Sequence, residues 1–323
     1  MAILVTGAAG FIGMHLAERL LAVGEAVVGV DNFNDYYSPA LKVARSARLE
    51  GNSRFRMVRM DIADASRLQS LVQELGADRV VHLAAQAGVR YSIDQPFAYE
   101  HSNLKGHLSV LEACRRAGGV RHLVYASSSS VYGDRPAGSR GFSEEDPVDH
   151  PVSLYAATKR AGELMSATYS HLYRLPLTGL RFFTAYGPWG RPDMAYYSFT
   201  ERLLAGAPIE VFGEGRMARD FTYIDDIVEG IVRVLELPPA NGGHRILNLG
   251  GSRPHGLLEM IRLLEAAVGI EARKVMLPMQ PGDVTSTYAD ISKLQALTGY
   301  EPQTTLAEGL RRFVEWRRAY GAG

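Results

Sequence analysis

Tyr155 and Lys159 stand four residues apart in the segment YAATK, a spacing that puts a phenol and an ammonium on one face of a helix. A tyrosine titrates near about pH 10 and is a poor base at neutrality. A neighbouring ammonium favours the phenolate, as does the positive ring of an oxidised nicotinamide. The pair therefore suits moving a proton on and off an alcohol. An ordinary aromatic–lysine pair on a solvated helix face has the same spacing. Four serines, Ser127 to Ser130, close the apolar run HLVYA upstream of the pair. A hydroxyl there can share a proton between the phenolate and a substrate alcohol, or merely cap and turn the chain.

A second constellation opens the chain. The segment TGAAGFIG spaces Gly7, Gly10 and Gly13 three apart, after the apolar run AILV and before a helical pattern at Ile12, Leu16, Leu20 and Leu21. Strand, sharp turn and helix in this order suit a dinucleotide pyrophosphate, because the glycines let the backbone approach the phosphates. The free N–H groups at the helix start then meet the negative charge. The same glycines would also serve a tight turn with close helix packing. Asp31, in GVDNF, ends the next apolar run eighteen residues after Gly13, where an acid bonding a ribose diol is expected. A carboxylate there repels a 2′-phosphate, so the sequence predicts NAD rather than NADP.

The elements that must carry these residues follow from periodicity. Strands are predicted over 55–61, 79–85, 122–129 and 177–183, alternating with helices over 67–76, 103–118 and 153–173. Such alternation implies an α/β fold with a doubly wound parallel sheet and ligands at the carboxyl ends of its strands. After residue 183 the alternation weakens. FTAYGPWGRPDM is too rich in glycine, proline and aromatics for one long element. Helices are predicted at SFTERLLAG, DDIVEGIVRVLEL, LLEMIRLLEAAVG and LAEGLRRFVEWRRAY, with extended segments at IEVFGEG and HRILNLGG. This divides the chain into a nucleotide-binding domain over 1–183 and a smaller mixed α/β lobe over 184–323, some of whose segments return to the first domain.

The composition narrows the class. Lysine plus arginine equals aspartate plus glutamate at 35 each over 323 residues, which disfavours a polyanion binder and predicts no nucleic-acid partner. Cys114 is the only cysteine, so neither an intramolecular disulfide nor a cysteine-rich metal site can form, and no metal is expected. The first strand begins at once and no apolar run reaches the length of a membrane span. A mature start, a cytoplasmic location and no membrane partner are the expectations.

These motifs together resemble the extended short-chain dehydrogenase/reductase family of nucleotide-sugar enzymes, most closely its bacterial UDP-glucuronate 4-epimerases. The resemblance runs nearly end to end through TGAAGFIG, VDNFNDYY, LAAQAGVRYS, YASSSSVYG, SLYAATKRAGE, LRFFTAYGPWGRPDM, RDFTYIDDI and QPGDVTSTYADISK. It implies a Rossmann fold, NAD as cofactor, a UDP-sugar as substrate and a homodimer formed through helices 103–118 and 153–173. It further implies that Gly7, Gly10, Phe11, Ile12 and Gly13 hold the pyrophosphate, Asp31 and Asn32 the adenosine ribose, and Asp61 and Ile62 the adenine. Leu83, Ala84, Ala85, Asn103 and Ser127 are expected along the cofactor channel. Tyr155 and Lys159 belong to that channel and, with Ser128, form the expected catalytic trio. Arg219, Phe221, Gln280 and Asp283 are expected around the uridine diphosphate.

The sugar end rests on fewer residues. Ser128, Ser129, Thr184 and Arg191 match positions expected to meet the sugar, and an arginine fork suits a carboxylate. Arg90 lies in a loop on the same side and is a further candidate. Thr184 stands where galactose epimerases carry an asparagine, and Gln280 where they carry an arginine. Dehydratases of the family carry an Asp–Glu pair after the catalytic hydroxyl; this chain has Ser129 and Ser130, poor groups for eliminating water. The expected reaction is reversible C4 epimerisation of UDP-glucuronate and UDP-galacturonate through a 4-keto sugar. A UDP-glucuronate decarboxylase, a 4-epimerase of neutral UDP-sugars and a silent nucleotide-sugar sensor are the alternatives.

Overall fold

The computed structural model describes residues 2–134, 140–280 and 284–321. The first half alternates β1 (Ala2–Thr6), α1 (Phe11–Ala22), β2 (Ala26–Asp31), α2 (Pro39–Glu50), β3 (Phe55–Arg59), α3 (Ala65–Leu75) and β4 (Arg79–His82). Two short helices, α4 (Tyr91–Asp94) and α5 (Pro96–Tyr99), lead through a π-helical turn, Glu100–Lys105, into α6 (Gly106–Ala117). Then come β5 (His122–Ser128), α7 (Leu154–Tyr173), β6 (Leu177–Phe182) and β7 (Thr184–Tyr186). The rest comprises α8 (Ala195–Leu204), β8 (Ile209–Phe212), β9 (Ala218–Tyr223), α9 (Ile224–Leu235), β10 (His244–Leu249) and β11 (Pro254–Gly256). It ends with α10 (Leu257–Val268), β12 (Lys274–Leu277), β13 (Ser286–Thr287), α11 (Ser292–Thr298) and α12 (Leu306–Gly321).

Seven parallel strands form the main sheet in the order β10-β6-β5-β4-β1-β2-β3. The order reverses between β1 and β4, so the loops leaving these two strands diverge and open a crevice at their carboxyl ends. The glycine segment leaves β1 and LAAQAG leaves β4, so both motifs border that crevice. Both faces of the sheet are covered. α9 lays Ile227, Val228, Ile231, Val234 and Leu235 into the core, each such burial contributing about 1.5–3 kcal/mol. The seventh strand, β10, comes from the distal half of the chain and pairs with β6 from His244 opposite Leu177 to Leu249 opposite Phe182. Two small sheets, β8 with β12 and β9 with β7, β11 and β13, build the wall facing the crevice.

Residues 39–50, which carry no clear helical period, form α2. Its inward face carries Lys42, Arg45 and Ser46 beside Leu41 and Leu49, so hydrophobic periodicity alone does not reveal it. Among the described residues no helix is long and apolar enough to cross a membrane.

Candidate active site

The crevice widens into one cleft of about 820 Å³ running from Asp31 and Asp61 to Arg219 and His255. At its floor, Gly7 has φ +72°, and a Cβ there would meet the backbone of Ala84 at 2.8 Å. A Cβ on Gly13 would come within 2.0 Å of the Gly7 carbonyl oxygen. The loop and the start of α1 therefore pack too tightly for side chains, which is the cradle a pyrophosphate needs. No side chain caps α1 and no acid lies in its first turn, so its positive end faces the cleft uncompensated.

Asp31 closes β2 with its carboxylate braced: Oδ2 accepts the Ala9 N–H at 3.1 Å and Oδ1 that of Phe33 at 2.8 Å. Burial raises its pKa against those bonds and the charge of Lys42. Asn32 donates to Asp61 Oδ2 at 3.0 Å, and the Ala63 N–H to Asp61 Oδ1 at 2.8 Å. Phe11, Ile12, Ile62, Leu83, Ala84 and Ala85 line the same stretch of wall. Asn103 is not in that lining. Its Oδ1 accepts the Gln86 N–H at 2.8 Å, and its Nδ2 donates to the Gln86 carbonyl and to Thr158 Oγ1, both at 3.0 Å. Asn103 thus braces the β4 loop from behind instead of forming its surface. Ser127 reaches the cleft, but its hydroxyl donates to buried Glu163 at 2.6 Å.

Ser153 caps α7 by accepting the Ala156 N–H, which brings Tyr155 and Lys159 to the cleft in the first turns of that helix. Lys159 Nζ donates to the Ala126 carbonyl at 3.0 Å and sits 6.0 Å from the centre of the Tyr155 ring. Burial pulls the Lys159 pKa down to about 8, against the opposing charge of Glu163 one turn on. Glu163 is itself held by Arg181 of β6 through two bonds of 2.8 and 2.9 Å.

The sequence reading expects the lysine to pull the tyrosine toward its phenolate. Here burial wins and raises the Tyr155 pKa, opposed by a hydrogen bond with Ser128 and by the positive charge of Arg191. A second cation besides Lys159, Arg191, thus acts on the phenol from a loop more than thirty residues downstream. Periodicity cannot reveal that pairing.

Ser129 and Thr184 line the cleft beside Tyr155. Thr184 opens β7 and pairs with Phe221 of β9, so the two motifs share one short sheet edge. Arg191 engages Asp193 with both arms of its fork, Nε to Oδ1 at 3.0 Å and Nη2 to Oδ2 at 2.6 Å. Tyr36, from the loop after β2, donates to the same Oδ2 at 3.1 Å. Arg90 stands at the mouth of the cleft, its guanidinium 5.2 Å from the Phe212 ring centre. Arg219 lines the far end, with Nη1 donating to the Ala218 carbonyl at 2.9 Å, and Phe221 lies beside it. Gln280 is half-buried but does not line the cleft; its Oε1 has no partner among the described residues. Asp283 lies outside the described residues.

Residues 3–250 match the NAD dependent epimerase/dehydratase family. The chain belongs to that family. It is 48% identical to UDP-glucuronate 4-epimerase 4 of Arabidopsis thaliana, over 99% of this chain and 76% of that one. It is 45% identical to a probable UDP-glucuronate 4-epimerase of Rhizobium meliloti, over 98% and 96%. The crystal structure of the Bacillus cereus UDP-glucuronic acid 4-epimerase in complex with UDP-glucuronic acid and NAD superposes with a TM-score of 0.93 at 39% identity. That alignment covers 99% of this chain and all (100%) of the other.

Within this epimerase/dehydratase scaffold the sequence reading missed Tyr36, Lys42 and Asp193, all of which line the cleft. Tyr36 and Asp193 sit inside VDNFNDYY and GPWGRPDM, but each takes its meaning from a partner far away in sequence. Lys42 required α2 to be recognised first.

Proposed function

We propose that the chain interconverts UDP-glucuronate and UDP-galacturonate by C4 epimerisation, with NAD held in the same cleft. The observation that carries this reading is that Tyr155 and Arg191 line one cleft: the group that would handle the C4 proton faces the same space as the group that would hold a C6 carboxylate. Relatives of the same family at 45% and 48% identity carry the epimerase name, which supports the reading.

The floor of the cleft fits a dinucleotide. Gly7, Gly10, Phe11, Ile12 and Gly13 would meet the pyrophosphate, Asp31 and Asn32 the ribose, and Asp61 and Ile62 the adenine. NAD, when bound, takes up a hydride from the sugar and gives it back. The protein's own side chains manage the rest. Tyr155 removes the proton of the C4 hydroxyl and later returns it, with Ser128 sharing that proton and Lys159 supplying positive charge beneath the ring. The C4 ketone must turn within the cleft so that its other face is reduced. While it does, a C6 carboxylate aligned with the ketone π system would leave as carbon dioxide. At either end of the turn, Thr184, Ser129 and Arg191 hold the carboxylate out of that alignment.

Residues 1–183 form the NAD-binding domain in this reading, and 184–323 the UDP-sugar lobe, which lends β10 and α9 to the first. Arg219, Phe221 and Asp283 serve the uridine diphosphate. A homodimer through α6 and α7 accounts for the exposed Leu108, Leu164 and Leu172 on those helices. The same reading assigns the enzyme to the cytoplasm. The deciding experiment incubates the purified protein with UDP-glucuronate and no added cofactor, then separates the products by chromatography and mass. UDP-galacturonate of unchanged mass is expected. A product lighter by carbon dioxide identifies a decarboxylase and overturns the proposal.

A further inference from the structure

The guanidinium of Arg191 is already occupied. Asp193 takes Nε and one N–H of Nη2, and Tyr36 donates to the same carboxylate, so three side chains that line the cleft form one hydrogen-bonded chain. The pair remains open to the cleft: Arg191 keeps 24% and Asp193 32% of its side-chain surface. A bound sugar would cover that surface. Burial raises the Asp193 pKa, but the charge of Arg191 and the hydrogen bonds from Arg191 and Tyr36 together more than offset it, so the acid stays ionised. Burial and the Asp193 charge both raise the Tyr36 pKa, so its hydroxyl stays a donor. The ring of Tyr36 is fixed by Tyr91 at 4.6 Å and by Gly88, where a Cβ would lie 2.4 Å from its hydroxyl. Tyr36 also follows Asp31 and Asn32 by a few residues, which ties the chain to the loop beside the ribose site.

We propose that Asp193, aimed by Tyr36, is a positioning residue that shares Arg191 with the sugar carboxylate and takes it back while the ketone turns. This rests on the epimerase reading above. A guanidinium offers five N–H donors in one plane, so Asp193 leaves Nη1 and the second Nη2 hydrogen for another carboxylate. Turning the ketone moves C6 and must break the sugar's hold on Arg191. Without Asp193 that movement strands a desolvated cation, which is strongly unfavourable. With Asp193 in place the cation keeps a partner throughout, and the carboxylate is gripped lightly enough to let go. Epimerisation needs a clamp that releases, and the Asp193 carboxylate makes release possible.

The test compares wild type with Asp193→Asn and Tyr36→Phe. It uses the NAD-loaded protein and measures kcat and KM for UDP-glucuronate, with calorimetric Kd for UDP-glucuronate and UDP-glucose. Removing the Asp193 charge should tighten UDP-glucuronate relative to UDP-glucose by about tenfold, the scale of one charge-assisted hydrogen bond. The kcat for UDP-glucuronate should fall by about tenfold as the turn slows, so kcat and KM drop together. Tyr36→Phe, which removes one hydroxyl, should move both in the same direction by about threefold. An unchanged affinity ratio in both variants, or equal losses on both sugars, overturns the proposal. A wild-type protein that makes no UDP-galacturonate overturns the epimerase reading instead, so the two failures are separable.

Discussion

Arg45 and Trp189 are joined by two hydrogen bonds from one buried guanidinium to one carbonyl, Nε at 3.0 Å and Nη2 at 2.6 Å. The same group donates to the Gly190 carbonyl at 2.9 Å and to the Ala9 carbonyl in the glycine loop at 3.3 Å. One side chain therefore fixes the pyrophosphate loop and the segment leading into Arg191. Arg45→Lys keeps the charge, but three donors on a single nitrogen cannot span the three carbonyls that the guanidinium reaches from three nitrogens. The variant should lose about 1.5–3 kcal/mol of stability, the scale of a hydrogen bond to a charged group left unmade. It should also raise KM for UDP-glucuronate. Urea unfolding and steady-state kinetics check both, and wild-type values in either would remove Arg45 from this role.

Cofactor choice follows from Asp31. Its carboxylate is braced by two backbone N–H groups and cannot swing aside for a 2′-phosphate. Like charges placed together cost several kcal/mol, so NADP should bind about a hundredfold or more weaker than NAD. Calorimetric titration of cofactor-stripped protein with each dinucleotide measures the gap. Equal affinities would show that Lys42, which lies in electrostatic range of Asp31, neutralises it.

What could be read from the sequence was whatever is local. The glycine loop, the α7 pair and the strand–helix alternation all declare themselves within a few residues, because turn chemistry and helical spacing are local. The distal helices were legible for the same reason. α2 was not, since its buried face is half polar and serves Arg45 rather than a hydrophobic layer. The Arg191–Asp193–Tyr36 chain was illegible because Tyr36 and Asp193 meet across 157 residues of sequence. The Tyr155 environment was legible only in part for a related reason: burial and the Arg191 cation from another loop act on it beside Lys159, and a YxxxK spacing encodes neither.

Asp220 makes a second hub. It is fully buried, and its carboxylate accepts the N–H groups of Gly251, Ser252 and Ala289 at 2.6, 2.9 and 2.9 Å, and Thr222 Oγ1 at 3.1 Å. Asp220→Asn replaces an acceptor by a donor facing those donors and should cost about 2–4 kcal/mol at neutral pH. Burial outweighs the donors and pushes the Asp220 pKa up to about 6, from an ordinary 3.8. A folded pKa raised above the unfolded one adds stability that is full below 3.8 and is lost as pH rises through about 6. The stability gap between wild type and Asp220→Asn should therefore widen as pH falls from 7 toward 4. Urea unfolding of both proteins across that range tests the sign.

Tyr155→Phe removes the hydroxyl that handles the C4 proton and leaves the ring packed against Tyr99, at 6.0 Å between centres. A positioned acid or base contributes about 10²–10⁴-fold, so turnover should fall within that range. NAD content and UDP-sugar affinity should stay near wild type, because neither depends on the hydroxyl. Retention of more than about a tenth of turnover would reassign the proton to another group.

Arg191 acts at two places, and the two can be separated by pH. Its fork suits a carboxylate, and a charge-assisted hydrogen bond is worth about 1.5–3 kcal/mol. Arg191→Ala should therefore lower kcat/KM for UDP-glucuronate about ten- to a hundredfold more than any residual rate on UDP-glucose. Its charge also opposes the burial that raises the Tyr155 pKa. Removing a cation beside a phenol disfavours the phenolate, so the Tyr155 pKa must rise further in the variant. The limb of the kcat profile on which Tyr155 loses its proton should then move to higher pH, with both sugars, because it belongs to the enzyme and not to the substrate carboxylate. Arg191→Lys restores the charge without the fork. It should return the limb toward wild type while leaving most of the selective loss on UDP-glucuronate. If the limb stays fixed in Arg191→Ala, the cation that tunes Tyr155 is Lys159. If both sugars lose the same factor at every pH, Arg191 serves the diphosphate or the loop, and the carboxylate must be held elsewhere.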